Sequence, residues 1–290
     1  MLKILLLLLS RMPLRTLYLM SVPLFFFLRV FYRRRTTAQN LRNSFPQFSN
    51  RKLRKVLFDY YENLSEIIPE IIKARTISKE ELASRVHFIN PEITFELKKK
   101  NQPILFLTAH CANWEWIALA SAMHLSVPAD IVYKQTKNTH LNEFLLQSRT
   151  RFGGRMIPKN EAAKYHLHTE NEHRIIGLAA DQTPVGKGNI WTNFLNQQTD
   201  FHRGLLTLLE KRPIATVFCR QIKTSKGHYS AELIPLNKAP YNEDGLVVLG
   251  RYIQELEKLI KEYPSQFLWS HNRWKHKRDE NEILINFSKN

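Results

Sequence analysis

Hydrophobic positions fall into three successive patterns along the chain. The first 35 residues hold two apolar runs, Leu5 to Leu9 and Leu14 to Tyr32, separated by Ser10, Arg11, Met12 and Pro13 and followed by Arg33, Arg34 and Arg35. The second run, interrupted only by Arg15 and Arg29, is about as long as a helix that crosses a ~30 Å hydrocarbon core. Pro23 and the two arginines near its ends fit a tilted, snorkelling or half-embedded helix equally well. A cleaved signal peptide competes, but no small-x-small cleavage site follows and the arginines lie on the wrong side of the run. A buried helix of a soluble domain also competes, although such a helix rarely has so little polar face. The positive-inside rule places the part after Arg35 in the cytoplasm.

From 36 to 100 the pattern is helical. Ser49 is a candidate N-cap, and Leu53, Leu57, Tyr60, Tyr61, Leu64, Ile67, Ile68, Ile71 and Ile72 recur at three- and four-residue steps, making one apolar stripe. Pro69 is expected to kink or restart that helix. A shorter helix is expected from Ser78 to Arg85, with Glu80 and Glu81 in its first turn, where the helix dipole favours acids.

From 101 onward the pattern alternates. Strands are expected at 104–107, 129–134, 175–180, 214–220 and 229–235, and helices at 112–123, 139–151, 160–170, 202–212 and 245–263. That succession predicts an α/β fold with a mostly parallel central sheet flanked by helices. The expected organisation is a membrane anchor over 1–35 followed by one catalytic unit over 36–290, helical to 100 and α/β from 101.

Ligands gather at the carboxyl ends of strands in such sheets. Three expected strands deliver polar residues there: His110 after the first, Tyr133 and Lys134 at the second, Asp181 and Gln182 after the third. His110 is followed five positions later by Glu115. If His110 lies in the turn and Glu115 in the first turns of the next helix, the acid can orient the imidazole as a general base. Asn113 and Trp114 pack the turn between them and are candidate substrate contacts. Cys111 invites a nucleophile reading against the commoner one of a buried thiol. Arg149 and Arg151, before Phe152-Gly153-Gly154, can supply a fixed charge to an oxyanion or can simply end a solvated helix. Asp181, closing an apolar strand, needs a cationic partner.

Composition narrows the partners. Lys and Arg outnumber Asp and Glu by 43 to 26, a net +17, which implies anionic partners: nucleic acid, an acidic membrane surface, or an acidic carrier and substrate. Two cysteines without metal-type spacing give neither a disulfide framework nor a zinc site. No dinucleotide fingerprint, phosphate loop or zinc-protease motif occurs. The segment from Phe267 to Arg278 interleaves aromatic and basic residues, as at a nucleic acid or a membrane interface. The apolar N-terminal run favours the membrane, and no nucleic-acid motif supports the other reading.

Several stretches together resemble one family. They are the N-terminal apolar helix, Asn40 to Pro46 (NLRNSFP), His110 to Glu115 (HCANWE), Tyr133-Lys134, Arg149 to Gly153 (RTRFG), Ala180 to Pro184 (ADQTP), Trp191 to Leu195 (WTNFL) and Trp269 to Lys275 (WSHNRWK). In this order they resemble the bacterial lipid A biosynthesis acyltransferases, of the lauroyl/myristoyl type within the glycerolipid acyltransferase superfamily, over essentially the full length. The resemblance implies a cofactor-free, metal-free enzyme at the inner membrane, with its catalytic part facing the cytoplasm. It would move a fatty acyl chain from acyl carrier protein, or acyl-CoA, to a hydroxyl of a lipid A precursor. A lysophospholipid, glycolipid or aminolipid acceptor would keep every residue role. The resemblance further implies His110 and Glu115 as the catalytic dyad and Arg149, held by Asp181, as the oxyanion or orienting group, with Arg151 as its substitute.

Overall fold

The central strand is β2 (Ile104–Thr108), and the rest of the fold is built outward from it. Its apolar run is buried on both faces: Leu105 and Leu107 join one core cluster, Ile104 and Phe106 the other, as the two-residue period of a strand between two helix layers requires. The computed structural model describes residues 2–125, 129–162, 165, 174–186, 188–211 and 213–287. β2 is flanked by β5 (Ile175–Ala179) and β8 (Ala215–Ser225), both parallel to it. The seven-stranded sheet continues through β3 (Ala129–Tyr133) to β4 (Arg155–Pro158) on one side, and through β9 (His228–Pro235) to β1 (Val86–Phe88) on the other. Within this sheet, among the described residues, only β8 and β9 pair antiparallel. The expected α/β fold with a mostly parallel sheet is therefore present.

A second sheet was not expected. β6 (Ile190–Phe194) and β7 (Gln197–Phe201) form a hairpin whose two turn residues, Leu195 and Asn196, both have positive φ (49° and 61°), and β10 (Leu284–Ile285) adds to its edge. Two consecutive left-handed residues give the turn the twist of the flanking strands. Part of the aromatic and basic segment from Phe267 packs against this sheet. Trp269 and Arg273 are fully buried, the Arg273 guanidinium donates to the Asp200 carboxylate at 3.2 Å, and the Trp274 indole donates to Thr199 Oγ1 at 2.8 Å. A carboxylate inside the core thus accepts one cation of the segment, while Lys275 and Lys277 stay exposed.

The N-terminal helices lie on the body of the protein. α1 (Leu2–Arg11) and α2 (Leu14–Phe31) pack against α4 (Asn50–Lys73), with α3 (Arg34–Ser44) between them in sequence. α4 starts at Ser49, whose Oγ accepts from Lys52 N, and runs through Pro69 without ending. The expected restart is absent: burial of Ile67, Pro69 and Glu70 on either side outweighs the lost helical hydrogen bond, a cost of about 3 kcal/mol. Ser78 caps α5 (Lys79–Arg85) as expected. α2 is long and apolar enough to cross a membrane, and 28% of it is buried. Its other face leaves Leu19, Met20, Val22, Phe26, Phe27, Val30 and Phe31 exposed, and Ile4, Leu5 and Leu8 of α1 are exposed as well. α6 (Glu92–Lys99), α7 (Trp114–His124), α8 (Thr139–Arg149), α9 (Arg203–Lys211) and α10 (Gly245–Glu262) complete the layers. Most of the helix expected over 160–170 lies outside the described residues.

Candidate active site

The parallel register of β2 and β5 builds the site. Thr108 pairs with Ala179, so two residues beyond each partner stand His110 and Asp181, side by side at the carboxyl ends of neighbouring strands. His110 Nδ1 meets Asp181 Oδ1 at 2.8 Å. Asp181 is buried, whereas the His110 side chain keeps 21% of its surface open. Burial opposes the imidazolium, but the Asp181 charge and hydrogen bond, with a smaller contribution from Glu115, hold the His110 pKa above the ordinary histidine value. Burial alone would raise the Asp181 pKa. The charge and hydrogen bond of His110, together with backbone N–H donors of His110 and Asp181, lower it below the usual carboxylate value.

Glu115 sits where expected, in the first turn of α7 with His110 in the turn before it. Its partner is different. Arg149, the last residue of α8, holds Glu115 with two parallel bonds, Nε to Oε2 at 2.6 Å and Nη2 to Oε1 at 2.5 Å. The expected pairing of His110 with Glu115 and of Arg149 with Asp181 is thus exchanged, because the strand neighbour of β2 is β5 and its loop reaches His110 first. A fork-on-fork guanidinium–carboxylate pair is among the strongest side-chain contacts. Arg149 Nη1 has no protein partner among the described residues. Burial opposes charge on Arg149, but Glu115 keeps it firmly protonated.

The turn carrying His110 is tightly specified. Ala112 has φ 50°, a left-handed conformation that costs a residue with a Cβ about 1–2 kcal/mol. Its N–H donates to the Gln266 carbonyl at 3.0 Å, the Cys111 N–H to the Ala109 carbonyl at 2.8 Å, and the Leu268 N–H to the His110 carbonyl at 3.0 Å. Buried Gln221, on β8, donates from Nε2 to the carbonyls of Ala109 and Cys111, each at 2.7 Å. Sequence reading missed Gln221, because a single polar residue in a strand gives no sign of which neighbour it clamps.

Glu70 was missed as well. This fully buried carboxylate accepts from Tyr18 of α2 at 2.5 Å, from Asn113 Nδ2 at 2.7 Å and from the Tyr229 hydroxyl. Its backbone carbonyl accepts the Trp116 indole N–H at 2.8 Å. Asn113 at the same time caps α7 by accepting from Trp116 N at 3.0 Å. Burial raises the Glu70 pKa, and the three donors pull it partly back. The available signal was an acid inside the apolar stretch Ile67 to Ile72.

The remaining candidates divide. Trp114 stands edge-on to His110, ring centroids 5.2 Å apart, and walls a cleft of about 10 Å³ with Tyr60, Leu64, Ile67 and Phe267, room for about one water molecule. Tyr133 lies under Arg149 at 6.0 Å. Lys134 is exposed and Gln182 half-buried beside Asp181. Arg151 is engaged elsewhere: its Nη1 donates to the carbonyls of Ala74 and Ile77 at 2.9 and 2.8 Å, closing the end of α4, so it does not stand in for Arg149. Cys111 is buried, and burial pushes its thiol well above the ordinary range, which removes the thiolate a nucleophile needs. His271, in the segment after Phe267, is within electrostatic reach of both Asp181 and His110, and burial pushes its pKa down to about 4.

Sheet, apolar N-terminal helices and the cluster at His110 fit a single class: the chain is an acyltransferase. It belongs to the bacterial lipid A biosynthesis acyltransferase family, whose family model matches residues 1–276. That family is associated with the inner membrane. Comparison with curated proteins returns no match.

Proposed function

We propose that the protein transfers a fatty acyl chain from a thioester donor, acyl carrier protein or acyl-CoA, to a hydroxyl of a lipid A precursor, with His110 as general base. One observation carries this reading. Asp181 occupies Nδ1 of His110, so the Nδ1–H tautomer is favoured and the lone pair on Nε2 is free for a proton. The acceptor hydroxyl gives its proton to Nε2 as its oxygen attacks the thioester carbonyl. The tetrahedral intermediate collapses, the thiolate leaves and takes the proton from Nε2, and His110 returns to its starting state. Atoms and charge balance without an acyl-enzyme, a metal or a cofactor.

Arg149 supports the oxyanion through Nη1, the nitrogen left over from its pair with Glu115. Glu115 then acts on Arg149 and only indirectly on His110. The N–H groups of Cys111 and Ala112 are already bonded within the protein, so they do not serve the oxyanion. Trp114, edge-on to His110, also walls the small apolar cleft and is the side chain positioned to meet the acyl chain there.

The exposed faces of α1 and α2 enter one leaflet, with the catalytic part on the cytoplasmic side. Contacts with α4 along α2, from Tyr18 with Glu70 to Phe25 with Phe58 and the Tyr32 carbonyl with Tyr61, favour a half-embedded helix over a spanning one. A span would drag α4 and its cations into hydrocarbon. The net positive charge favours an acidic carrier and a phosphorylated acceptor. Mass spectrometry of lipid A from cells with and without the protein, and with His110→Ala, tests the reading. The acylated species should appear only with the unaltered protein, and its persistence with His110→Ala at a tenth or more of the normal rate sinks the general-base assignment, since removing such a base costs on the order of 10²-fold.

A further inference from the structure

Away from His110, α3 and α4 enclose a second cavity of about 340 Å³. Leu41, Leu53 and Leu57 form its apolar floor, and Arg42 of α3 and Arg54 of α4 line it with Asn50. Neither guanidinium has a hydrogen-bond or ion-pair partner among the described residues, and both side chains are exposed. Two solvent-facing cations beside a leucine floor offer charge and apolar surface to the same ligand. The cavity lies one helical turn from the contact between α4 and α2. Arg54 and Phe58 are one turn apart on α4, Phe58 meets Phe25 of α2 edge to face at 4.9 Å, and Arg29 of α2 lies over the Phe58 ring at 5.1 Å. Arg34, Arg35 and Arg51 add further unpaired positive charge on the same two helices.

We infer that this cavity binds an anionic phospholipid of the bilayer, with the phosphodiester on Arg42 and Arg54 and the first methylenes of one acyl chain on Leu41, Leu53 and Leu57. Three observations select this occupant. The volume is at the lower end of the range for small-molecule sites, right for a headgroup and a chain segment. The cations and the apolar floor belong to one site, which a free phosphate would use only in part. The site lies one helical turn from the contact with α2, whose exposed face the bilayer covers, so the lipid arrives with its chains already at the correct depth. None of His110, Glu115, Arg149 and Asp181 lines this cavity, so the inference does not depend on which acyl acceptor the active site takes.

Vesicle flotation of the full-length protein tests it, using phosphatidylcholine with and without phosphatidylglycerol. Arg42→Gln/Arg54→Gln is compared with Arg34→Gln/Arg51→Gln, which removes the same charge from the same helices outside the cavity. Two cations near an anionic surface are worth about thirtyfold wherever they stand, so the control pair should lose no more than that of the preference for phosphatidylglycerol and the cavity pair clearly more. Leu53→Asn, which keeps every charge, should reduce the same preference. Equal losses from the two pairs overturn the inference in favour of a diffuse field. So does inorganic phosphate displacing the lipid from the cavity at concentrations where chloride does not, which would make it a phosphate site. If the cavity pair leaves vesicle binding unchanged and raises KM for a carrier-linked donor, the surface belongs to an acidic protein and the inference fails.

Discussion

Asp181→Asn separates the pairing found at the site from the one the spacing of His110 and Glu115 suggests. The substitution keeps size and shape and removes the charge that fixes the imidazole. An asparagine amide facing Nδ1 can donate where the carboxylate accepts, which favours the Nε2–H tautomer and turns the catalytic lone pair away from the acceptor hydroxyl. It also removes the anion that stabilises the imidazolium. Two unit charges about 3 Å apart attract by about 5 kcal/mol at an effective dielectric of about 20, and burial of both groups offsets part of that. A net loss of about 3–5 kcal/mol in the transition state lowers kcat on the order of 10²–10⁴-fold. The assay is transfer of a labelled acyl chain from its thioester to the lipid acceptor, with KM and kcat separated and folding checked by circular dichroism. Glu115→Gln in the same assay should cost less, because it loosens Arg149 and leaves His110 with its partner. A folded Asp181→Asn enzyme within threefold of the unaltered rate, or one less impaired than Glu115→Gln, would refute the reasoning and restore Glu115 as the orienting acid.

Because the folded pKa of His110 is raised above 6.5, kcat/KM should rise with pH through a limb lying above that value, and Asp181→Asn should move any residual limb toward acid. The same shift has a sign for stability: the His110 contribution is fully present below 6.5 and lost as pH climbs through the raised pKa, which thermal melts across neutral pH should register. Cys111→Ser should retain most activity with no acyl adduct in intact-mass spectra of the parent protein; an adduct at Cys111 would reinstate the thiol as nucleophile. Glu70→Ala should destabilise by roughly 3 kcal/mol or more, since buried Asn113 and Tyr229 and half-buried Tyr18 lose their acceptor, and Tm should fall by at least about 5 °C. Lys at 149 offers one point charge in place of a fork, so Arg149→Lys should lower kcat more than it raises KM.

Much of this architecture is legible in the chain because apolar periodicity carries it. The strands β2, β3, β5, β8 and β9 are short apolar runs between turn signals, and placing His110 and Asp181 at strand ends needed nothing more. Their pairing was not legible, because periodicity is silent on strand order: β2 lies beside β5 through a crossover, and only that adjacency brings Asp181 to His110. Arg149 reaches Glu115 through the packing of α8 against α7, a long-range fact of the same kind. The hairpin of β6 and β7 escaped because its polar Gln197, Gln198 and Asp200 mimic a loop, and its turn uses a buried leucine in place of glycine. The burial of Trp269 and Arg273 was not legible either, since the buried cation and its carboxylate, Asp200, lie far apart in sequence.

The contacts of α1 and α2 bear on how such an enzyme can be handled and how it could evolve. Lys73 donates to the carbonyls of Ser10 and Met12, as Tyr18 does to Glu70, so core groups of the catalytic body complete their bonding with the leading helices. Trimming those helices to obtain a soluble form would take both carbonyl acceptors from Lys73 and one of three donors from Glu70 and would bare the buried side of α4, so the whole chain is the form to prepare. By the same reasoning, a descendant of this enzyme could not simply lose its first helices; it would first have to replace the bond from Tyr18 to Glu70, the carboxylate that also holds Asn113.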